Sequence, residues 1–404
     1  MIQTPKSLTL HIGIFGRTNV GKSTLVNYIT DQKTSIVSSV PGTTTDSVFK
    51  TMEILPIGPV TLIDTAGLDD KSILAKERIE KTNHIFTMAD IAVIVVEPNE
   101  WTGYEKNLIA ELSSRKTPVM ILVNNYKNIE LNNGFISEIS KYKYQVSPLL
   151  KGQRDAFLNE FKKIIFEITP DEILNNLPLT DVIIKKYQTV VLVVPIDLGA
   201  PKGRIILPQV QMIRAILDVN AIALIVKDSE LQQCLDNFKT PPDLVICDSQ
   251  VVKKVTDIVP KNIKVTTFSI IFTANRADIA EMMNGIEKIK NLKPGDKILI
   301  AEACTHHASS DDIGRIKIPN LVKKYLGFDV HFDVTAGHEY PKNIKDYALV
   351  IHCGGCMINK KQMVSRMNYA VDNDVPVTNY GIVLSFVNGV LERVTEPFKS
   401  LILK

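Results

Sequence analysis

Cysteine is scarce in this chain: 5 among 404 residues, an odd number, unevenly placed. That usage excludes a disulfide-stapled framework and favours reduced thiols used as ligands. Charge of one sign is lacking too. Lys and Arg total 47 against 44 Asp and Glu, for a net charge of +3. Composition therefore demands neither nucleic acid nor an anionic membrane as partner. No apolar run approaches the roughly 20 residues of a membrane-spanning helix. Residues 1–15 lack the basic, apolar and small-residue order of a signal peptide. A cytoplasmic protein is expected. What is present is ordinary for a globular chain, with 45% hydrophobic and 23% charged residues. The length suffices for two or three domains with cores of their own.

The first third carries a phosphate-binding pattern. Leu8 to Phe15 alternates like a buried strand and runs into Gly16-Arg17-Thr18-Asn19-Val20-Gly21-Lys22-Ser23, after which Thr24 to Ile29 reads as a helix. This is G-x-x-x-x-G-K-S between a strand and a helix. The glycines let backbone amides curl around phosphates, the helix N-terminus adds positive potential, and Lys22 reaches the outer phosphates. Gly16, Asn19, Val20, Gly21, Lys22, Ser23 and Thr24 are the expected nucleotide contacts. Val60 to Ile63 reads as a strand ending in Asp64-Thr65-Ala66-Gly67. Asp64 suits Mg²⁺ through water, beside the Ser23 hydroxyl, and the Gly67 amide suits the last phosphate. Between them Pro41-Gly42-Thr43-Thr44-Thr45-Asp46 reads as a switch loop, with Thr44 a third candidate for Mg²⁺. Strands at Ile91 to Val96 and Val119 to Val123, alternating with helical stretches, predict a mostly parallel sheet covered on both faces.

The set Gly16–Ser23, Pro41–Asp46 and Asp64–Gly67 resembles the GTPases of the Era and TrmE type. The resemblance implies GTP as ligand. It also implies activation by K⁺, because Asn19 stands where potassium-dependent relatives place an ion-binding asparagine. Those relatives read guanine with Asn-Lys-x-Asp after the strand that here ends at Val123. This chain has Asn124-Asn125-Tyr126-Lys127. Asn124 fits, while Lys127 replaces the carboxylate and offers only donors. Gln145-Val146-Ser147 resembles the last base-contacting loop, with Pro148 in place of a small residue. Leu68 stands where a water-orienting glutamine would follow Gly67, so hydrolysis is expected to be slow. Among Asp69, Asp70 and Glu77 no catalytic residue is assigned.

The middle third shows no chemistry. A helix from Gly152 to Ile168 closes the first domain at Thr169-Pro170. Strands at Val190–Val194, Ala221–Val226 and Leu244–Cys247, with a helix at Pro208–Leu217, make a small α/β unit. Cys234 and Cys247 read as small buried hydrophobes. By elimination this unit is a connector or assembly surface, and a homodimer is expected. The domain reading is 1–170, 171–283 and 284–404.

The last third holds Glu302-Ala303-Cys304-Thr305-His306-His307 and Ile351-His352-Cys353-Gly354-Gly355-Cys356. Each follows a strand, Lys297–Ala301 and Tyr347–Ile351. Ligand sites in open parallel α/β sheets gather beyond the carboxyl ends of strands. Cys353 and Cys356 can reach one metal centre, and Cys304 can supply a third thiolate. A histidine completes a zinc site of the Cys₃His kind. Alternatively, three cysteines hold a 4Fe–4S cluster with one iron open.

C-x-H at Cys304–His306, 45 residues from His307 to Ile351, then H-C-x-x-C at His352–Cys356 resembles the signature of the HydF family, the maturation GTPases of iron–iron hydrogenases. The resemblance covers essentially the whole chain, in the order GTPase, dimerisation domain and cluster domain. It implies a 4Fe–4S cluster on Cys304, Cys353 and Cys356 with an exchangeable fourth position. His306 and His352 match the motif histidines, and Glu302 and Asp311 are alternative fourth ligands. His307, His331 and His338 fall outside the motif. The implied partners are apo iron–iron hydrogenase and the radical-SAM maturases. A zinc-stabilised GTPase of tRNA modification or ribosome assembly, and a redox-gated regulator, are the competing readings.

Overall fold

A computed structural model describes residues 9–31, 48–65, 84–170, 183–196, 205–276, 278–303, 312–337, 340–341, 343–355 and 358–402. The chain divides into two units, Met1–Asn176 and Leu177–Lys404.

The first unit is built on a six-stranded sheet in the order β2-β3-β1-β4-β5-β6. The strands are β1 (Leu10–Phe15), β2 (Val48–Ile54), β3 (Gly58–Asp64), β4 (Ile91–Val96), β5 (Val119–Asn124) and β6 (Lys143–Ser147). All neighbours run parallel except β2, which pairs antiparallel with β3. Successive strand residues point to opposite faces, and each face has its own core. Ile12, Ile14, Val93, Val95, Met120 and Leu122 pack with residues of α1 (Lys22–Thr30) and α4 (Arg154–Ile168). Phe15, Ala92, Ile94, Val96, Ile121 and Val123 pack with α2 (Gly103–Ser114) and α3 (Asn133–Ile139). Burial on both sides explains why β4 reads Ile-Ala-Val-Ile-Val-Val without a polar residue. Deleting one such side chain to alanine costs about 2–5 kcal/mol. β2 and β6 are strands that the sequence reading did not contain.

The second unit has two four-stranded parallel sheets. One runs β10-β9-β7-β8 and the other β12-β11-β13-β14. The first comprises β7 (Thr189–Val193), β8 (Ile222–Val226), β9 (Leu244–Cys247) and β10 (Lys264–Thr267). The second comprises β11 (Lys297–Glu302), β12 (His331–Ala336), β13 (Leu349–His352) and β14 (Val377–Asn379). One continuous apolar core joins the two sheets. The helix Ile279–Glu287 runs close against β14, and a Cβ on Gly285 would lie 1.9 Å from the Val377 carbonyl oxygen. Arg393, in the helix Leu391–Thr395, donates to the carbonyls of Thr256 at 2.5 Å, Val259 at 2.7 Å and Pro260 at 2.8 Å. It thereby caps the end of the helix Val252–Ile258 beside the other sheet. Cys247 is fully buried in β9 and Cys234 half-buried in the helix Leu231–Asp236. Burial pushes both thiols up, which suits inert core residues.

Candidate functional site

The loop between β1 and α1 needs glycine twice. Gly16 has φ 142°, and a Cβ there would lie 2.4 Å from the Val95 carbonyl oxygen. Gly21 has φ 100°, and its Cβ would lie 2.4 Å from Asn124 Nδ2. Asn19 is exposed with φ 65°, the left-handed region that asparagine tolerates. Lys22 is buried, and its Nζ donates to the carbonyls of Gly16 at 3.0 Å and Arg17 at 2.5 Å. The ammonium thus sits inside the loop, where the N-terminus of α1 already places positive potential. Thr24 is exposed in the first turn of α1.

Ser23 Oγ donates to Asp64 Oδ2 at 2.6 Å, joining α1 to the end of β3. Asp64 is fully buried, and its Oδ1 has no hydrogen-bond partner among the described residues. Burial raises its carboxyl pKa, opposed by the Ser23 hydrogen bond and by the Lys22 and Lys50 ammoniums. A hydroxyl beside a carboxylate with an oxygen to spare is a hard-oxygen pair that fits Mg²⁺. Thr44, Gly67, Leu68, Asp69, Asp70 and Glu77 lie outside the described residues.

Two supports of this site were missed in the sequence. Lys50 on β2 is buried, donates to Asn27 Oδ1 at 2.8 Å and adds positive potential at Asp64. Arg17 is clamped by the start of α2. Its Nε donates to Glu105 Oε1 at 2.8 Å and its Nη2 to Glu105 Oε2 at 3.2 Å. Its guanidinium also reaches the Thr102 hydroxyl and lies 4.8 Å from the Tyr104 ring centre. Glu105 closes a capping box with Thr102, accepting from Thr102 N at 2.8 Å. The Thr102-x-x-Glu105 spacing is that of a capping box. Its link to Arg17, 88 residues away, was not legible in the sequence.

The loops after β5 and β6 sit beside the phosphate loop. Asn124 Nδ2 donates to the Val20 carbonyl at 2.9 Å, and Asn125 N to the Ser147 carbonyl at 2.9 Å. Both amide atoms of the Asn125 side chain are engaged by the Ile129 backbone, at 2.9 and 2.7 Å. Tyr126 and Lys127 are exposed, with Lys127 Nζ 5.2 Å from the Tyr126 ring centre. Leu149 N donates to Ser147 Oγ at 3.1 Å just past Pro148.

In the second unit, β11 and β13 end side by side, with Ala301 opposite His352. Cys353 N donates to the Ala301 carbonyl at 2.9 Å, and Ala303 N donates to Cys353 Sγ at 3.1 Å. The residue before Cys304 therefore touches the Cys353 sulfur. Cys304, His306, His307, Asp311, His338 and Cys356 lie outside the described residues, among which no group of three or more His, Cys, Asp or Glu is placed to hold a metal. His331 is exposed on the edge strand β12.

His352 is fully buried, and its Nδ1 lies 2.6 Å from the Cys353 carbonyl. A carbonyl only accepts, so Nδ1 carries the proton and Nε2 presents a lone pair. That Nε2 has no partner among the described residues. Burial, with the Arg366 charge nearby, pushes the imidazole down to about 3 against the backbone hydrogen bond. The ring is neutral at pH 7, the form a ligating histidine takes. Arg366 is itself buried, donates to the Gly337 carbonyl and lies 4.8 Å from the Tyr340 ring centre. Its Nε and Nη2 find no partner among the described residues, so an anion would be stabilised beside it. Glu302 is buried and engaged by Arg315 Nη2 at 2.9 Å, which makes it a less available ligand. The amide-bonded Cys353 sulfur, just past the end of β13, suits a ligand of an iron–sulfur or zinc centre.

Three family descriptions match the chain in sequence. Residues 11–125 match a 50S ribosome-binding GTPase, 179–277 the hydrogen maturase F dimerization domain, and 280–397 the hydrogen maturase F tetramerization domain. GTPase Der of Mycoplasmopsis pulmonis is 31% identical over 177 residues, 39% of this chain and 39% of that protein. The tRNA modification GTPase MnmE of Prochlorococcus marinus is 33% identical over 135 residues, 33% of this chain and 28% of that protein. The chain thus spans about two fifths or less of these curated relatives. A crystal structure of Era from Aquifex aeolicus aligns with 54% of this chain and 92% of its own, at 18% identity and TM-score 0.34. With a GTPase domain followed by both hydrogen maturase F domains, the chain belongs to the HydF-type maturation GTPases.

Proposed function

We propose that this protein is a GTP-hydrolysing scaffold that carries a 4Fe–4S cluster and delivers a di-iron precursor to apo iron–iron hydrogenase, in concert with radical-SAM maturases in the cytoplasm. The observation that carries the reading is the 3.1 Å bond from Ala303 N to Cys353 Sγ. It supports the reading because it joins Ala303, the residue before Cys304 in the chain, to the Cys353 sulfur. Cys304, Cys353 and Cys356 would hold the cluster, with His306, His352, Glu302 or Asp311 as alternatives for the fourth iron. Held by three cysteines, such a cluster keeps one iron for an exchangeable ligand, which a carrier requires. The Ala303 amide steadies the sulfur, burial keeps His352 neutral, and Arg366 offsets negative charge.

In the GTPase domain Lys22 and the α1 N-terminus hold phosphates, while Ser23 and Asp64, with Thr44, hold Mg²⁺. Gly67 meets the terminal phosphate, Asn124 steadies the base side, and Asn19 assists a K⁺ ion. Turnover biases the arrangement of domains 1–170, 171–283 and 284–404 and so partner exchange. The homodimer forms along β8, an edge strand among the described residues, on which Ile222, Leu224 and Ile225 are 58%, 40% and 47% exposed. In a reconstituted maturation assay, alanine at Cys304, Cys353 or Cys356 abolishes hydrogenase activation and leaves GTP turnover near wild type. An equal fall in GTP turnover would overturn the picture of separate modules.

A further inference from the structure

Three neighbouring strands, β11, β13 and β14, end in register. Ala301 lies opposite His352, and His352 lies opposite Asn379. The next residues, Glu302, Cys353 and Tyr380, continue that row, with Cys353 in the middle. Gly314 shows that the outer two meet over the middle one. A Cβ there would lie 2.1 Å from Tyr380 Oη and 3.2 Å from Glu302 Oε1. The phenol is rooted just past β14, yet its hydroxyl stands beside a carboxylate on β11. It therefore crosses the end of β13, where Cys353 follows.

Both ends of that crossing are held. Arg315 Nη2 donates to Glu302 Oε2 at 2.9 Å. Asn379 caps the helix Tyr380–Val387, its Oδ1 accepting from Ile382 N at 2.7 Å. Gly381 abuts the helix Phe268–Arg276, where a Cβ would lie 2.6 Å from Ser269 Cβ. The Tyr380 hydroxyl itself is buried and has no hydrogen-bond partner among the described residues. Burial pushes the phenol up, as do the charges of Cys353, Glu302 and Asp312 against that of Arg315, so the group is an O–H. A buried hydroxyl without a partner is costly. A sulfur-rich group on Cys353 would supply the missing acceptor.

We propose that the Tyr380 hydroxyl donates to a sulfur of the iron–sulfur group that Cys353 would hold, and so raises its reduction potential. The inference rests on the cluster reading above and deepens it. Hydrogen bonds to the sulfurs are one lever on the potential of such a group, because they stabilise its more negative, reduced state.

The test is a redox titration of the full-length protein after anaerobic reconstitution, followed by electron paramagnetic resonance, with iron and sulfide assayed in each variant. Tyr380→Phe keeps the ring and removes one oxygen. It should hold iron and sulfide at the unmodified level and lower the midpoint potential by about 59 mV, a tenfold change in a one-electron equilibrium. Gly314→Ala, which drives a methyl group into the hydroxyl, should shift the potential in the same direction, and should add nothing in the Tyr380→Phe background. A change below about twofold in Tyr380→Phe at full iron content would overturn the inference, because the hydroxyl then serves Glu302 alone. Loss of the cluster in Tyr380→Phe would overturn it as well, because the hydroxyl is then needed for assembly. An unmodified chain that takes up no iron, or takes up zinc instead, would overturn the cluster reading and this inference with it.

Discussion

Glu105→Ala should unfasten the phosphate loop from α2. Glu105 is only 3% exposed at its side chain, against 26% for Arg17. The substitution removes two hydrogen bonds from Arg17 and the reciprocal half of a capping box. Loss of such a cap costs about 0.5–2 kcal/mol, and a hydrogen bond to a charged group about 1.5–3 kcal/mol. Arg17 can recover part of that from water, so the total should be roughly 2–4 kcal/mol, or about 30- to 1,000-fold in the folding equilibrium. The chain's single tryptophan, Trp101, abuts the cap and packs on Phe135 and Tyr142 at 6.3 and 6.2 Å. Its fluorescence during urea denaturation therefore reports on the first unit alone. A double-mutant cycle with Arg17→Ala should give a coupling of about 1–2 kcal/mol. Burial would raise the Glu105 pKa, but hydrogen bonds from Arg17 and Thr102 outweigh it and hold the group below the usual carboxylate range. With a depressed folded pKa the contribution is full above the unfolded value of about 4.3. It is lost as pH falls through the folded value. Glu105→Gln should flatten that acid limb. A coupling below about 0.3 kcal/mol, or an unchanged acid limb, would refute the reasoning.

Gly285→Ala should displace the helix Ile279–Glu287 from β14, since the added carbon meets the Val377 carbonyl at 1.9 Å. A loss of about 3 kcal/mol or more is expected, read as faster amide exchange in β14. Ile225→Asp should weaken the β8 edge contact and shift the protein to a smaller species by light scattering, with GTP turnover unchanged. Arg393→Ala leaves three carbonyls short of their donor. It should raise amide exchange in the helix Val252–Ile258 by at least about tenfold.

The reach of the sequence follows from what is local. β4 and β9 were legible to the residue because burial on both faces makes them apolar runs. The phosphate loop was legible because Gly16, Gly21, Lys22 and Ser23 act within one turn of chain. β2 was not, since Val48 to Ile54 carries Lys50 and Glu53 and earns its place only by pairing with β3. Lys50 beside Asp64, Glu105 on Arg17 and Gly285 under Val377 are all contacts between distant segments, which no spacing records. The position of Cys353 just past the end of β13, beside the end of β11, was legible from the topology rule for parallel sheets. The tautomer of His352 was not, because the Cys353 backbone carbonyl sets it. Nor was the shared core of the second unit, where two sheets that read as separate domains bury their helices together.

Cys353 is the one motif cysteine whose surroundings are described, and it gives the most direct test. Iron and acid-labile sulfide should be assayed after anaerobic reconstitution, alongside the electron paramagnetic resonance spectrum of the reduced protein. The unmodified chain should hold about four iron and four sulfide with a 4Fe–4S signal, and Cys353→Ala should lose both. Zinc in place of iron, or an intact cluster in Cys353→Ala, would contradict the convergence of these sulfurs on one iron–sulfur centre.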